Sequence, residues 1–183
     1  MIEDSDSPLI RRKYHEVFGA VLSPCFDTFV RQGRHVDHGA ALGYRRAGGQ
    51  VLFLERYLDA PIEKVVSAEL GRCVAREAIV EIGNFAADNA MAMIALWGAV
   101  ANDLGEVSEV AVATLTAPLR GMFARIGLPI FQLAPAKVAN AGDRAGHWGS
   151  YYDLDPWVCA GLIHEGQAAL AAFLARRQTR AAA

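Results

Sequence analysis

The stretch "IVEIGNFAADNAMAMIALWGAV" occupies residues 79–100. Ile79, Val80 and Ile82 give its start strand character. Glu81, Gly83 and Asn84 then interrupt what should be a buried strand. A carboxylate taken out of water without a partner is strongly disfavoured or takes up a proton. A glycine inside a strand marks a bulge, or a close approach of another chain or a ligand. Asp88 is the candidate cap of a helix from about Asn89. The helix stripe is Met93, Leu96, Trp97, Val100 and Leu104, while Met91, Ile94 and Ala95 make its other side apolar. Such a helix is covered on most sides. A bulge just before a helix N-terminus exposes backbone N–H groups, suited to polarising a carbonyl or holding an anion. Glu81 also has two readings without chemistry: a partner of Arg76 or Arg72, or an edge-strand residue facing water.

Working outward, a helix is expected from Pro8 to about Leu22, with Ile10, Tyr14, Val17, Phe18 and Val21 on one face and Pro24 ending it. Cys25 to Gln32 has strand character, and "GRHVDHG" is turn-like. "GAALGYRRA" and "GQVLFLERYL" are the second and third strands, with Gly48-Gly49 as a hairpin signal. Ala60 to Gly71 is a short helix, and Cys73 to Ala86 a long fourth strand. "SEVAVATLT" is a fifth strand, "APLRGMFARIGL" a helix and "PIFQLA" a sixth strand. Residues 136–156 form a loop with a short strand inside it. A last helix runs from Trp157 to about Arg177, its basic end suiting the helix dipole. Residues 1–7 are expected to be disordered, 8–178 to form one domain and 179–183 to fray. The order predicts an α/β fold, a mixed central sheet with helices on both faces.

The 183 residues carry 18 basic and 20 acidic side chains, a balance that gives no reason to expect nucleic acid as a partner. The hydrophobic share is 53% and the mean hydropathy +0.18, high values that suit tight packing or an apolar pocket. No apolar run reaches the roughly 18 residues of a spanning helix, and the first residues lack an apolar signal core. A cytoplasmic protein without a transmembrane segment is expected. Cys25, Cys73 and Cys159 are widely spaced and odd in number, which favours reduced thiols over a metal site or disulfides. His35 and His38 fit a surface turn better than a metal pair, because no further ligand lies nearby.

"ALGYRRAGGQVLFLERYLDAPIE", "VAREAIVEIGNFAA" and "HWGSYYDLDPWVCAG" resemble the bacterial thermostable hemolysin family, from about Tyr14 to Gly161. The strand order resembles the GNAT acyltransferase fold, and in particular the acyl-homoserine-lactone (autoinducer) synthases. Those synthases carry a glutamate, one residue, then Ser-Arg-Phe in the central strand. Glu81 and Phe85 match that pattern, whereas Gly83 and Asn84 depart from it. The resemblance implies an acyltransferase that moves a fatty acyl group from a phosphopantetheine thioester to an amine or, second, a hydroxyl. It implies no tightly bound cofactor and no metal. GNAT enzymes that use coenzyme A wrap its diphosphate with a glycine-rich turn at this strand-to-helix junction. Here "NFAADNAM" lacks those glycines and sets Asp88 near the expected anion. Acyl carrier protein, with its single phosphopantetheine phosphate, is therefore the expected partner beside a small-molecule acceptor.

On this reading Glu81, Gly83 and Asn84 carry the chemistry. Phe85, Ala86, Thr114, Thr116 and Arg120 hold the donor, and Arg76, Trp148, Tyr151 and Tyr152 line the acceptor pocket. Each has an alternative: strand-end packing for the threonines, a solvated helix charge for Arg120, core packing for the aromatics. No nucleophile elbow or Ser-His-Asp order points to a hydrolase. Two rival functions stay open. One is a membrane-lytic protein, as the family name suggests, although no amphipathic basic helix supports it. The other is a non-catalytic acyl- or lipid-binding module.

Overall fold

The computed structural model describes all residues except 1, 5, 6, 23–25, 34–38, 182 and 183. Twelve regular elements follow in chain order: β1 (Ile2–Asp4), α1 (Pro8–Phe18), β2 (Thr28–Gln32), β3 (Ala40–Arg46), α2 (Ile62–Leu70), β4 (Ile79–Ala87), α3 (Ala90–Gly105), β5 (Val110–Leu115), α4 (Ala117–Ile126), β6 (Phe131–Pro135), β7 (Trp157–Leu162) and α5 (Ile163–Ala181). The strands make one sheet in the order β1-β2-β3-β4-β5-β7-β6. Neighbours are antiparallel except β4 and β5, which run parallel because the α3 crossover joins them. This is the expected mixed sheet in a single α/β domain.

Each face of the sheet is covered because its strands are apolar on both sides. Val80, Val30 and Leu42 meet Leu96 and Val100 of α3, Phe123 of α4 and Leu170 of α5. On the opposite face Phe29, Ala41 and Ala86 pack against Leu9, Ile10 and Tyr14 of α1. Further along that face, Ile79, Val112 and Val158 pack against Ile62 and Val66 of α2. The helix α3 has apolar residues all round because it lies between the sheet and α5.

Several sequence expectations need correction. "GQVLFLERYL" is no strand, and Gly48-Gly49 makes no hairpin: Ala47–Gly49 and Phe53–Tyr57 are 3-10 turns. The N–H groups of Phe53 and Leu54, which a strand would give to a ladder, go instead to the Glu81 carboxylate. The fourth strand starts at Ile79, not Cys73, because Arg76–Ala78 is a 3-10 turn. Trp157–Leu162 is β7 rather than the start of the last helix, which begins at Ile163. Residues 138–154 contain 3-10 turns and no strand. Ile2–Asp4, expected to be disordered, pairs with β2, and α5 extends to Ala181 within the tail expected to fray. Pro24, Cys25, His35 and His38 lie outside the described residues.

Two close approaches position the centre of the sheet. Gly43 and Gly83 face each other across β3 and β4, and the Phe26 ring lies over both. A Cβ on Gly83 would stand 2.6 Å from the ring tip, and one on Gly43 would stand 2.8 Å from Phe26 Cβ and Cγ. The tip can yield more than the root. Gly43→Ala is therefore expected to destabilise more than Gly83→Ala, each by about 1–3 kcal/mol as overpacking does. In denaturant titrations Phe26→Ala should absorb most of either loss in a double-mutant cycle. Additive losses would mean that Phe26 does not set the requirement for glycine.

Candidate active site

The site begins with a change of register. Ala41 opposes Ala86 and Gly43 opposes Gly83, so Leu42 alone faces Asn84 and Phe85. This is a β-bulge, and Asn84 takes the left-handed conformation with φ 54°. Asparagine tolerates that region better than most side chains. The extra residue resets the alternation, so Glu81 and Gly83 lie on the α1 face and Ile82 and Phe85 on the α3 face. The bulge expected near Gly83 is present.

Beside the bulge the sheet opens. The β4–β5 ladder runs only from Ile79 opposite Val110 to Glu81 opposite Val112. Both strands continue, to Ala87 and to Leu115, without pairing further. A cavity lies on each side of this divergence, and Ile82 lines both. On the α3 face the cavity holds about 110 Å³ and is walled by apolar groups, among them Phe85, Trp97, Ala113, Phe123 and Leu170. On the α1 face a smaller cavity of about 30 Å³ is lined by Glu81, Asn84, Thr114 and a set of aromatic rings.

Glu81 is buried, yet it is well supplied with donors. Its oxygens accept from the N–H groups of Phe53 and Leu54, each at 3.0 Å, and Arg45 Nε lies 3.6 Å away. Neither Arg76 nor Arg72 is its partner; Arg72 pairs with Glu109. Burial pushes the Glu81 carboxyl up to about 7, against the pull of the Phe53 amide, Arg45 and the Leu54 amide. A buried carboxyl near 7 can exchange a proton at neutral pH.

The aromatic wall comes from the 3-10 region Gly142–Leu154. Gly149 kinks it with φ 53°, and a Cβ there would stand 1.9 Å from the Phe18 carbonyl oxygen, so only glycine lets the chain lie against α1. Trp148, Tyr151 and Tyr152 thereby reach the small cavity beside Tyr14, Phe53 and Tyr57. Tyr151 donates to the Thr114 carbonyl at 3.2 Å, and the Tyr57 and Tyr152 hydroxyls lie 2.5 Å apart. Burial raises the pKa of all three tyrosines, so each keeps its proton at neutral pH.

The structure gathers Glu81, Gly83, Asn84, Thr114, Trp148, Tyr151 and Tyr152 around one cavity. Phe85 lines the apolar cavity behind it and meets Trp97 edge to face. Other expected residues stand elsewhere. Arg76 is occupied by Glu55 and Glu63 and by the carbonyls of Ala47 and Gln50, and it clamps the turns before α2 to the start of β4. That contact holds the Glu55 carboxyl down at about 2. Arg120 donates to the Leu115 carbonyl and to Asp155, joining the end of β5 to the turn before β7. Thr116 is the buried N-cap position of α4, and Ala86 packs in the α1 core. The α3 cap is Asn89, whose side chain accepts from the Ala92 N–H, and not Asp88. Asp88 accepts from the Gly39 N–H and pairs with Arg12 and Lys13. Phe26, Phe53 and Tyr57 are cavity residues that the sequence did not reveal.

No helix among the described residues is long and apolar enough to cross a membrane. No curated protein matches the chain. Among solved structures it is similar to TofI in an apo form, with 14% identity, TM-score 0.57 and coverage of 93% of this chain and 96% of that one. It is also similar to the AHL synthase LasI, with 13% identity, TM-score 0.58 and coverage of 88% and 83%. FeeM, an N-acyl amino acid synthase from uncultured soil microbes, shows 13% identity, TM-score 0.54 and coverage of 87% and 90%. At such identities the likeness establishes a shared fold. The thermostable hemolysin model matches residues 4–167, nearly the whole chain, and the chain belongs to the thermostable hemolysin family.

Proposed function

We propose that the protein is an acyltransferase that moves a fatty acyl group from a phosphopantetheine thioester to a small amine. One observation carries the reading: where β4 and β5 part, an apolar cavity and a polar cavity holding Glu81 stand back to back, sharing Ile82. The acyl chain occupies the apolar cavity and the thioester lies in the gap. The amine enters from the Glu81 side, its nitrogen attacks the thioester carbonyl, a C–N bond forms and the C–S bond breaks. Glu81 takes the proton from nitrogen, and the leaving thiolate takes up a proton in turn. Backbone N–H groups at the Gly83–Phe85 bulge stabilise the oxygen as charge develops. The synthases that share the fold, LasI and FeeM by their descriptions, join acyl groups to small acceptors, which supports this class. An acyl carrier protein is the preferred donor. The junction before α3 has no glycine cradle for a diphosphate, and Asp88 and the Asn89 cap occupy that turn.

The test is to supply acyl-carrier and acyl-CoA donors with a panel of amines and follow acylated product. Carrier thioesters should give the higher kcat/KM, and a tenfold preference for acyl-CoA would overturn the donor assignment. Lining the apolar cavity, Ala113 offers a second check. Ala113→Phe should shift chain-length preference to shorter acyl groups, and an unchanged profile would remove the acyl chain from this cavity.

Glu81→Gln separates chemistry from support. The rate should fall by roughly 10² to 10⁴, the usual worth of a positioned base. The wild-type rate should rise as pH passes about 7, where Glu81 loses its proton, and this limb should vanish in the variant. Stability should move the other way. The folded pKa of about 7 lies above the ordinary 4.5, so the contribution of Glu81 is fully present below about pH 4.5 and is lost as pH rises through about 7. The Gln variant lacks that loss, so its stability relative to wild type should improve from pH 5 to pH 8. A variant that melts early at every pH yet turns over normally would make the carboxylate purely structural.

A further inference from the structure

The small cavity contains a hydrogen-bond donor that the protein does not use. The Tyr57 and Tyr152 hydroxyls lie 2.5 Å apart, and either can be the donor. Whichever donates, the other keeps its own hydrogen, and neither hydroxyl makes a further hydrogen bond among the described residues. The arrangement differs from that of Tyr151, whose hydrogen is committed to the Thr114 carbonyl. A hydroxyl that already accepts a hydrogen bond is a better donor, because the first bond polarises it. Tyr57 is buried and Tyr152 half-buried, so where Tyr152 donates the hydrogen left on Tyr57 is shielded from water and an unmade bond there is disfavoured unless a cavity occupant completes it. Glu81 faces the same cavity with its protein donors limited to two amides and the longer Arg45 contact. The Asn84 side chain, buried at the bulge, adds an amide to the same cavity. Between these groups Phe26 and Phe53 offer apolar surface, and Trp148 adds the face of its ring and one indole N–H.

We infer that the Tyr57–Tyr152 hydroxyl pair selects the acceptor: it donates to an oxygen of a small amine whose nitrogen is received by Glu81. The inference rests on the acyl-transfer reading and narrows it. The substrate class is amines that carry a hydrogen-bond-accepting oxygen a few bonds from nitrogen. The cavity volume of about 30 Å³ limits the bound head to a few heavy atoms. Plain alkylamines of the same size leave the hydroxyl unmatched and are poorer acceptors.

The test compares 2-methoxyethylamine with n-butylamine, which differ by an oxygen in place of a methylene. In the wild-type protein kcat/KM should favour 2-methoxyethylamine by about three- to tenfold, the worth of one neutral hydrogen bond. In Tyr57→Phe/Tyr152→Phe the ratio should fall to about one, with n-butylamine still acylated. The single variants identify the donor, because its loss should move the ratio most. A merely structural role would lower thermal stability without changing the ratio between two amines in one variant. A folded double variant that keeps the wild-type ratio would overturn the inference while leaving acyl transfer intact. If the wild-type protein acylates neither amine, the transfer reading fails, and the pair is judged by ligand-induced thermal shift. Stabilisation by 2-methoxyethylamine that n-butylamine does not give, and that the double variant loses, would support the inference. Equal shifts would end it.

Discussion

The carboxylate of Glu81 is bound by the backbone of a segment almost thirty residues earlier in the chain. Phe53 and Leu54 give it their N–H groups, and the turn that contains them has no neighbouring strand to take those bonds. One buried side chain therefore does what a ladder would do, and the turn region closes over the α1 side of β4. Without a carboxylate at this position two amides would be stranded in the interior, which is strongly unfavourable. With it, burial raises the proton affinity of the carboxyl against the pull of the Phe53 amide and Arg45. Structural support and proton exchange thus arise from the same contacts. For the proposed transfer this matters, because a base held by its own scaffold keeps one position, as a positioned base requires.

A second cluster relieves Glu81 of any further structural duty. Arg76 uses its guanidinium on Glu55, Glu63 and two carbonyls, and Glu55 also accepts from the N–H groups of Leu52 and Ile62. This network fixes the turns, the start of α2 and the approach to β4 as a unit. Asp88 does similar work at the far end of the strand, with Gly39, Arg12 and Lys13. Between these two anchors β4 is free to bulge at Asn84 and to leave β5. The opening is thus built into the sheet by pinning both ends of one strand while its middle pairs on one side only.

How far the sequence revealed this follows from which signals were local. The conflict inside "IVEIGNFAA" marked the bulge and the buried carboxylate, because a polar group in an apolar strand needs no partner's identity to be noticed. The all-apolar surface of α3 likewise pointed to a covered helix. β7 escaped because it lies between β5 and β6 with both faces covered. Its run from Trp157 to Leu162 has no alternation and merges with the helix that follows. "GQVLFLERYL" has strand composition, and only the distant Glu81 and Arg76 make it a turn. Tyr57 was hidden for the same reason, since a hydroxyl's direction cannot be read from a segment assigned to the wrong element. Arg76 and Arg120 show the opposite error. Arginines near a site invite a ligand role, yet here carbonyls and carboxylates of the fold take their donors.

The two cavities also divide the physical work of the molecule. On the α3 side Val100, Leu104 and Leu115 present almost nothing that water can bond, which suits the proposed acyl chain, since its entry would displace water without disturbing a polar group. On the α1 side Glu81, Asn84 and the tyrosine hydroxyls present polar groups to the cavity, so the proposed acceptor is selected there by matching hydrogen bonds. The first kind of binding grows with length and discriminates weakly; the second is short-ranged and discriminates by chemistry. The bulge is the boundary between them. The ladder to β5 has ended at Glu81, and the extra residue then places Gly83 on one face and Phe85 on the other. Asn84 in its left-handed conformation thus sits at the turn of the strand from the small cavity, which it lines, to Phe85 in the apolar one.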